Sequence, residues 1–240
     1  EDERAGRIVT IKQPFYMCTE EISNEIYNDL MPGHDSGYES NRSIDNRDPG
    51  FPLFEPKQPV VRISRDEAAA FCRKLGEKAG MAAALPTEDQ WEWACRAGSD
   101  RPFWYGDENT DFSPYANLAD RSIENFRYPH PPVNGKIPNY KFSVWYLRDE
   151  RFNDGAQVSA ATGSCAPNPW GLRNMHGNVA EWTCSEYVRT PGDAPLNDSY
   201  VVRGGSWDDR PCNATATSRW HYPSWRRVYN VGFRVILEKK

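Results

Sequence analysis

The chain lacks a long basic run and a Cys-X-X-Cys pair, and it has only four histidines in 240 residues. Nor is there an apolar stretch approaching the ~18 residues a membrane-spanning helix needs, so no span is expected. Each absence removes a class of function. A net charge of -5 without clustered Lys or Arg argues against nucleic-acid binding through phosphates. The missing Cys-X-X-Cys spacing excludes a zinc ribbon or a thioredoxin-like site. His34, His130, His176 and His221 show no His-X-Asp or His-X-X-X-His spacing. No nucleophile elbow surrounds Ser206, so a Ser-His-Asp hydrolase has no support. Apolar residues reach only 38%, and mean hydropathy is -0.80. Those values fit a loop-rich domain with a modest core rather than stacked helices and sheets.

Aromatic residues compensate in part. Nine Trp and twelve Tyr each bury a large area while keeping a polar handle; Trp91, Trp93, Trp170 and Trp182 are expected in the core. The six cysteines, Cys18, Cys72, Cys95, Cys165, Cys184 and Cys212, leave two readings open. They are small buried hydrophobes, or they form up to three disulfides. Residues 7–18 alternate apolar and polar, as a strand or hairpin does. Ser23 opens a short helix, and residues 32–59 read as a long ordered loop. Ser64 with Glu67, and Thr87 with Gln90, are capping boxes that open two main helices. The first carries Ala68, Phe71, Cys72 and Leu75 at helical spacing. From 97 to 200 the pattern dissolves, and a chain this irregular needs metals, disulfides or buried Trp to hold it. Strand signals return at 201–203 and 231–236, and the two ends of the chain are candidates to pair. No repeat or linker divides the chain, so residues 1–240 read as one α+β domain with two main helices, short antiparallel strands and much irregular loop.

Four segments carry a resemblance: Leu85 to Gly98 (LPTEDQWEWACRAG), Asn168 to Trp182 (NPWGLRNMHGNVAEW), Val202 to Trp207 (VRGGSW) and Asn230 to Arg234 (NVGFR). In this order and spacing the chain resembles the formylglycine-generating enzyme, or sulfatase-modifying factor, family from about residue 8 to 236. The resemblance implies a C-type-lectin-like fold. It also implies one or two calcium sites. One would use Asn174 and Glu181 by side chain with the carbonyls of Gly177 and Val179. The other would join Asn117, Leu118, Asp154 and Ala156, linking two distant loops. Oxygen-rich sets of this kind suit a hard cation of high coordination number. Calcium sites favour an extracytoplasmic location, periplasmic or secreted, where calcium is abundant. No leader is visible in the opening Glu1-Asp2-Glu3-Arg4, which bears on export in neither direction.

The family's oxidising members hold copper(I) between two thiolates, a soft pair suited to a soft ion. The first thiolate position here is Asp209, and the second, counted without gaps, is Ala214. Cys212 between them supplies at most one sulfur, so copper is not expected. Family disulfides would pair Cys72 near Val235 and Cys95 near Ala216; both partners are missing, and those bridges are not expected.

The segment from Trp207 to Tyr229 interleaves aromatics with arginines. On a lectin-like scaffold it faces the ligand side. Ser206, Trp207, Asp208, Asp209, Cys212, Trp220, His221, Trp225 and Arg226 are therefore candidates to bind a peptide, protein or carbohydrate. The alternative is an enzyme on the same scaffold. That would be a non-heme metal oxygenase, with Asp208, Asp209 and His221 as a facial iron triad, or a divergent formylglycine-generating oxidase acting on sulfatases.

Overall fold

The computed structural model describes residues 9–39, 50–125, 148–190 and 192–238. Ile8, Asn41 and His130 lie outside them. Three helices form where the caps stand. Ser23 caps α1 (Asn24–Leu30) through its side chain. Ser64 and Glu67 close a reciprocal box at the start of α2 (Arg65–Ala79), which Gly80 ends in a left-handed turn. Thr87 and Gln90 do the same for α3 (Glu88–Arg96), ended by Ala97.

The strands are short. A three-stranded sheet has β1 (Phe15–Met17), β9 (Ile236–Glu238) and β4 (Ala82–Ala84) in that order, all antiparallel, so the two ends of the chain do pair. β2 (Tyr38–Glu39) and β3 (Phe51–Pro52) form a two-stranded ribbon within the expected loop. The third sheet runs β7 (Arg219–Pro223), β6 (Ser199–Arg203), β5 (Ala180–Glu186), β8 (Val231–Gly232).

The fold departs from the sequence expectations at four points. The strand expected over 7–18 is, among the described residues, only β1 at Phe15–Met17, and residues 9–14 lie outside any strand. The run 231–236 is not one strand. β8 pairs parallel with β5, and the chain then crosses to the other sheet as β9. Between them the Arg234 side chain turns inward to Glu181. β5 was hidden because residues 180–183 are all buried, so Glu181 and Thr183 interrupt the apolar alternation. Among the tryptophans, Trp91 and Trp182 are core at 0% exposure, but Trp93 and Trp170 are half-exposed, packed against each other at a ring separation of 4.4 Å.

The main core joins α2 to both larger sheets. Tyr27 stacks on Phe71 at 5.4 Å, and Phe233 meets Phe71 edge-on at 5.3 Å. Trp182, Val202 and Val235 complete it. A second cluster gathers Trp91, Cys95, Leu172 and Met175 under α3, and a third holds Leu53, Val158 and Trp207.

Candidate functional site

Two loops implied as calcium sites lie side by side. Asn174, Gly177 and Asn178 all have positive φ, at 54°, 74° and 60°. This winds the loop so that the Asn178 amide donates to the Asn117 carbonyl at 2.7 Å. A Cβ on Gly177 would sit 2.1 Å from that same carbonyl oxygen, so only glycine fits. The Asn117 amide nitrogen donates to Val158 O and to Asn178 Oδ1 at 3.0 and 3.1 Å. Asn174 donates to Glu21 at 2.9 Å, as does Asn178.

In both asparagines the carboxamide oxygen is the telling atom. Asn117 Oδ1 and Asn174 Oδ1 are buried with no hydrogen-bond partner. A buried, unsatisfied acceptor is costly, by about 1–3 kcal/mol. One stands in each implied site. Around Asn117, Asp154 accepts from the amides of Leu118 and Ala156 at 2.9 and 2.8 Å. Burial pushes the Asp154 carboxyl up to about 7. Asp120, fully buried, accepts from the Asp154 amide and adds a second carboxylate that sequence reading did not pick out. These oxygens suit a hard cation. The Ala156 carbonyl is partly engaged, accepting from Ser122 Oγ at 2.5 Å.

Around Asn174 the fit is different from the one implied. Both oxygens of Glu181 are engaged: Arg234 donates to them at 2.6–3.0 Å and Trp91 Nε1 at 2.7 Å. The carboxylate that faces Asn174 is instead Glu21, 2% exposed and raised by burial to about 7 against the pull of Arg234. Nothing in Glu20-Glu21 marks it in the sequence. Arg234 and Asn178 do belong to the resembling motifs.

The Gly-Gly-Ser turn leads from β6 toward the ligand segment. Gly204 and Gly205 have φ of 95° and 67°, and a Cβ on Gly205 would meet the Ala214 methyl at 2.6 Å. Ser206 is fully buried and its hydroxyl is engaged. It donates to Asp209 Oδ2 at 2.7 Å and accepts from Asn230 at 2.8 Å. Trp207 is a core residue, its ring 6.0 Å from Tyr229. Asp208 accepts the Tyr229 hydroxyl, whose proton is held tightly by burial and by that carboxylate. Burial and then Asp209 raise the Tyr222 phenol, and the Arg226 guanidinium lies 5.3 Å from the Tyr222 ring. Tyr222 thus lies within electrostatic reach of Asp209 and Arg226, and Tyr229 within reach of Asp208 and Asp209. Trp225 projects outward at 69% exposure, and Cys212 is exposed beside Asn213.

The structure does not assemble the facial iron triad. Asp208 faces Tyr229 and Asp209 faces Ser206, while His221 lies against Ser199 Oγ at 2.8 Å and stacks on Tyr187 at 3.9 Å. In an extended strand neighbouring side chains alternate, so Trp220 and Tyr222 pack toward the main core and His221 points to the other side. Among the described residues no three His, Cys, Asp or Glu side chains converge as metal ligands. The copper position does not fit either: residue 209 is a carboxylate bonded to Ser206, and residue 214 is a buried methyl. The Ala214 carbonyl accepts from His176 Nδ1 at 2.7 Å, which leaves Nε2 facing Cys95 Sγ at 3.4 Å. His176 is therefore a neutral, fully buried hydrogen-bonding residue, with its pKa lowered by burial to about 4.

Comparison with known proteins identifies the family and the fold. The chain is 32% identical over 171 residues to a formylglycine-generating enzyme of Streptomyces coelicolor, covering 66% of this chain and 45% of that protein. It is 30% identical over 163 residues to the inactive C-alpha-formylglycine-generating enzyme 2 of Bos taurus, covering 67% and 42%. The chain therefore spans less than half the length of these curated relatives. Among solved structures, PvdO from Pseudomonas aeruginosa superposes with a TM-score of 0.69 at 22% identity, covering 96% of this chain and 82% of that one. CarF gives 0.63 at 18%, covering 100% and 96%. The sulfatase-modifying factor enzyme 1-like domain matches residues 1–239, and the chain belongs to that family.

Proposed function

We propose that this chain is a calcium-stabilised domain of the formylglycine-generating enzyme type that lacks copper-dependent cysteine oxidase activity and binds a peptide, protein or glycan through residues 207–229. The observation that carries the first half is chemical. A carboxylate and a methyl stand where a soft monovalent ion needs two sulfurs. That one relative is named an inactive enzyme is consistent with a family that tolerates such loss. The binding half is supported by Trp225, exposed and next in sequence to Arg226 of the Arg226–Tyr222 pair, with Asp209 within electrostatic reach of Tyr222. A large exposed aromatic next to planar cation and carboxylate groups offers stacking and hydrogen bonds together. The calcium sites are supported by the two unpartnered carboxamide oxygens of Asn117 and Asn174. With calcium comes an extracytoplasmic setting, periplasmic or secreted.

Copper(I) titration against a chromophoric chelator under reducing conditions tests the loss of oxidase chemistry. The expected result is no tight binding. Tight binding that disappears in Cys212→Ser would overturn it. Peptide and glycan arrays probed with the folded chain test the binding face. Signals should fall at least tenfold in Trp225→Ala and Arg226→Ala while thermal unfolding is unchanged.

A further inference from the structure

Three thiols face one patch of the main core. β1 and β9 pair with Met17 opposite Ile236, and the Cys18 amide then donates to the Val235 carbonyl at 2.9 Å, so the register continues with Cys18 opposite Val235. Directly opposed residues of an antiparallel pair put their side chains on the same face, with Cβ atoms about 4.5–5.5 Å apart. Val235 is fully buried in the main core, so Cys18 is aimed at that core as well.

Cys72 comes to the same place from the opposite side. Residues 68, 72 and 76 form one stripe of α2. At its far end a Cβ on Gly76 would lie 3.4 Å from the Ala83 Cβ, so this stripe rests on the sheet of β1, β9 and β4. Ala83 stands opposite Leu237 in that sheet, on the face shared with Val235 and Cys18. One turn back along the stripe, Cys72 (2% exposed) packs in the cluster that contains Val235 and that Cys18 borders. Cys184, on the buried face of β5 with Ala180 and Trp182, reaches the same cluster from the other sheet. The Cys72 thiol is pushed up to about 12, by burial first and next by the Cys18 sulfur, ahead of Cys184. All three are thiols in this structure.

We propose that Cys18 and Cys72 are a disulfide-forming pair, joining the N-terminal strand to α2 when the chain meets an oxidising thiol–disulfide couple. Cys18 is only partly buried and is the entry point. Its thiolate attacks one sulfur of a small disulfide such as oxidised glutathione and expels one glutathione thiolate. The Cys72 thiolate then attacks the Cys18 sulfur of the mixed disulfide and expels the second. Two protein thiols are oxidised, one small disulfide is reduced to two thiols, and the two protons lost by the cysteines go to the departing thiolates. The bridge ties the segment that follows β1 to α2, a link that neither the β1–β9 ladder nor the Arg234 bonds to the Cys18 and Thr19 carbonyls supply.

Because Cys72 is buried, the test forms the bond during folding. The chain is unfolded in urea, refolded in a glutathione redox buffer, quenched with acid, alkylated and digested with trypsin without reduction. The expected product links the peptide of residues 13–42 to that of 66–73, with two of the six cysteines protected from alkylation. The link should persist in Cys184→Ser and vanish in Cys18→Ser, with both variants checked for native unfolding. A peptide 66–73 joined instead to 174–189, which carries Cys184, would overturn the pairing, as would full alkylation of both Cys18 and Cys72 in a refolded sample.

Discussion

Replacing Arg234 by Met probes the deepest ion pair among the described residues. Arg234 and Glu181 are both essentially unexposed, and the guanidinium donates to the carboxylate at 2.6, 2.7 and 3.0 Å. The same guanidinium also donates to the carbonyls of Arg173, Cys18 and Thr19 at 3.0, 3.2 and 3.4 Å. Methionine fills much of the volume but leaves Glu181, and Glu21 nearby, buried without their cation. Breaking a buried pair by removing one partner costs about 3–5 kcal/mol. That is a large part of a domain stability of roughly 5–15 kcal/mol. With a urea dependence of about 2–3 kcal/mol per molar, the midpoint should fall by ~1.5 M. Glu181→Gln keeps an acceptor for Trp91 and should cost a comparable amount by stranding the arginine. The double variant should cost less than the two singles added, by at least about 2 kcal/mol, since contacting charges couple. Equilibrium urea unfolding of the four proteins at low temperature reads all of these quantities. A single cost below about 1 kcal/mol, or additive singles, would refute the claim that this pair anchors the junction of β5 and β9.

Three further outcomes are expected. Calcium should raise the unfolding temperature and chelation with EGTA should reverse it, with ~2.7 kcal/mol of stabilisation at a hundredfold excess over the dissociation constant; Asn117→Ala should reduce the calorimetric binding signal by at least one site. Gly177→Ala should cost more than about 2 kcal/mol by thermal unfolding, because its Cβ would collide with the Asn117 carbonyl at 2.1 Å and its φ is 74°. His176 stays neutral in the folded state until about pH 4, whereas an unfolded histidine takes its proton near 6.5. Protons therefore favour the unfolded chain, and stability should fall as pH drops from 6.5 toward 4, by roughly 3 kcal/mol in total. His176→Gln should lack that component of the urea-midpoint profile, and a His176 imidazole resonance, assigned by its loss in that variant, titrating above pH 6 would contradict it.

The helices were readable from the chain because a capping box is a local device: Ser64 with Glu67, and Thr87 with Gln90, satisfy orphan amides within one turn. The pairing of the chain ends was also readable, as both carry strand signals. The family was legible because its motifs are the positions where local geometry is most constrained, such as the left-handed Asn174, Gly177 and Asn178 and the two glycines before Ser206. The identities of residues 209 and 214 were equally plain.

Tertiary structure decided what those residues face. Glu181 looked like a metal ligand by its place in the motif, but Arg234, 53 residues away, and Trp91, 90 residues away, engage its oxygens. Glu21 became the carboxylate of that loop only because the segment after β1 is set against Asn174 and Asn178, more than 150 residues away, which no local pattern encodes. Trp93 and Trp170 read like core residues but lie half-exposed, since aromatic content cannot say which face of α3 a loop will cover. β5 escaped notice because it is buried on both faces and its polar residues are satisfied at long range. Backbone preference and capping act over a few residues and are written in the chain. Burial, charge pairing and the meeting of distant thiols depend on which segments the fold sets side by side.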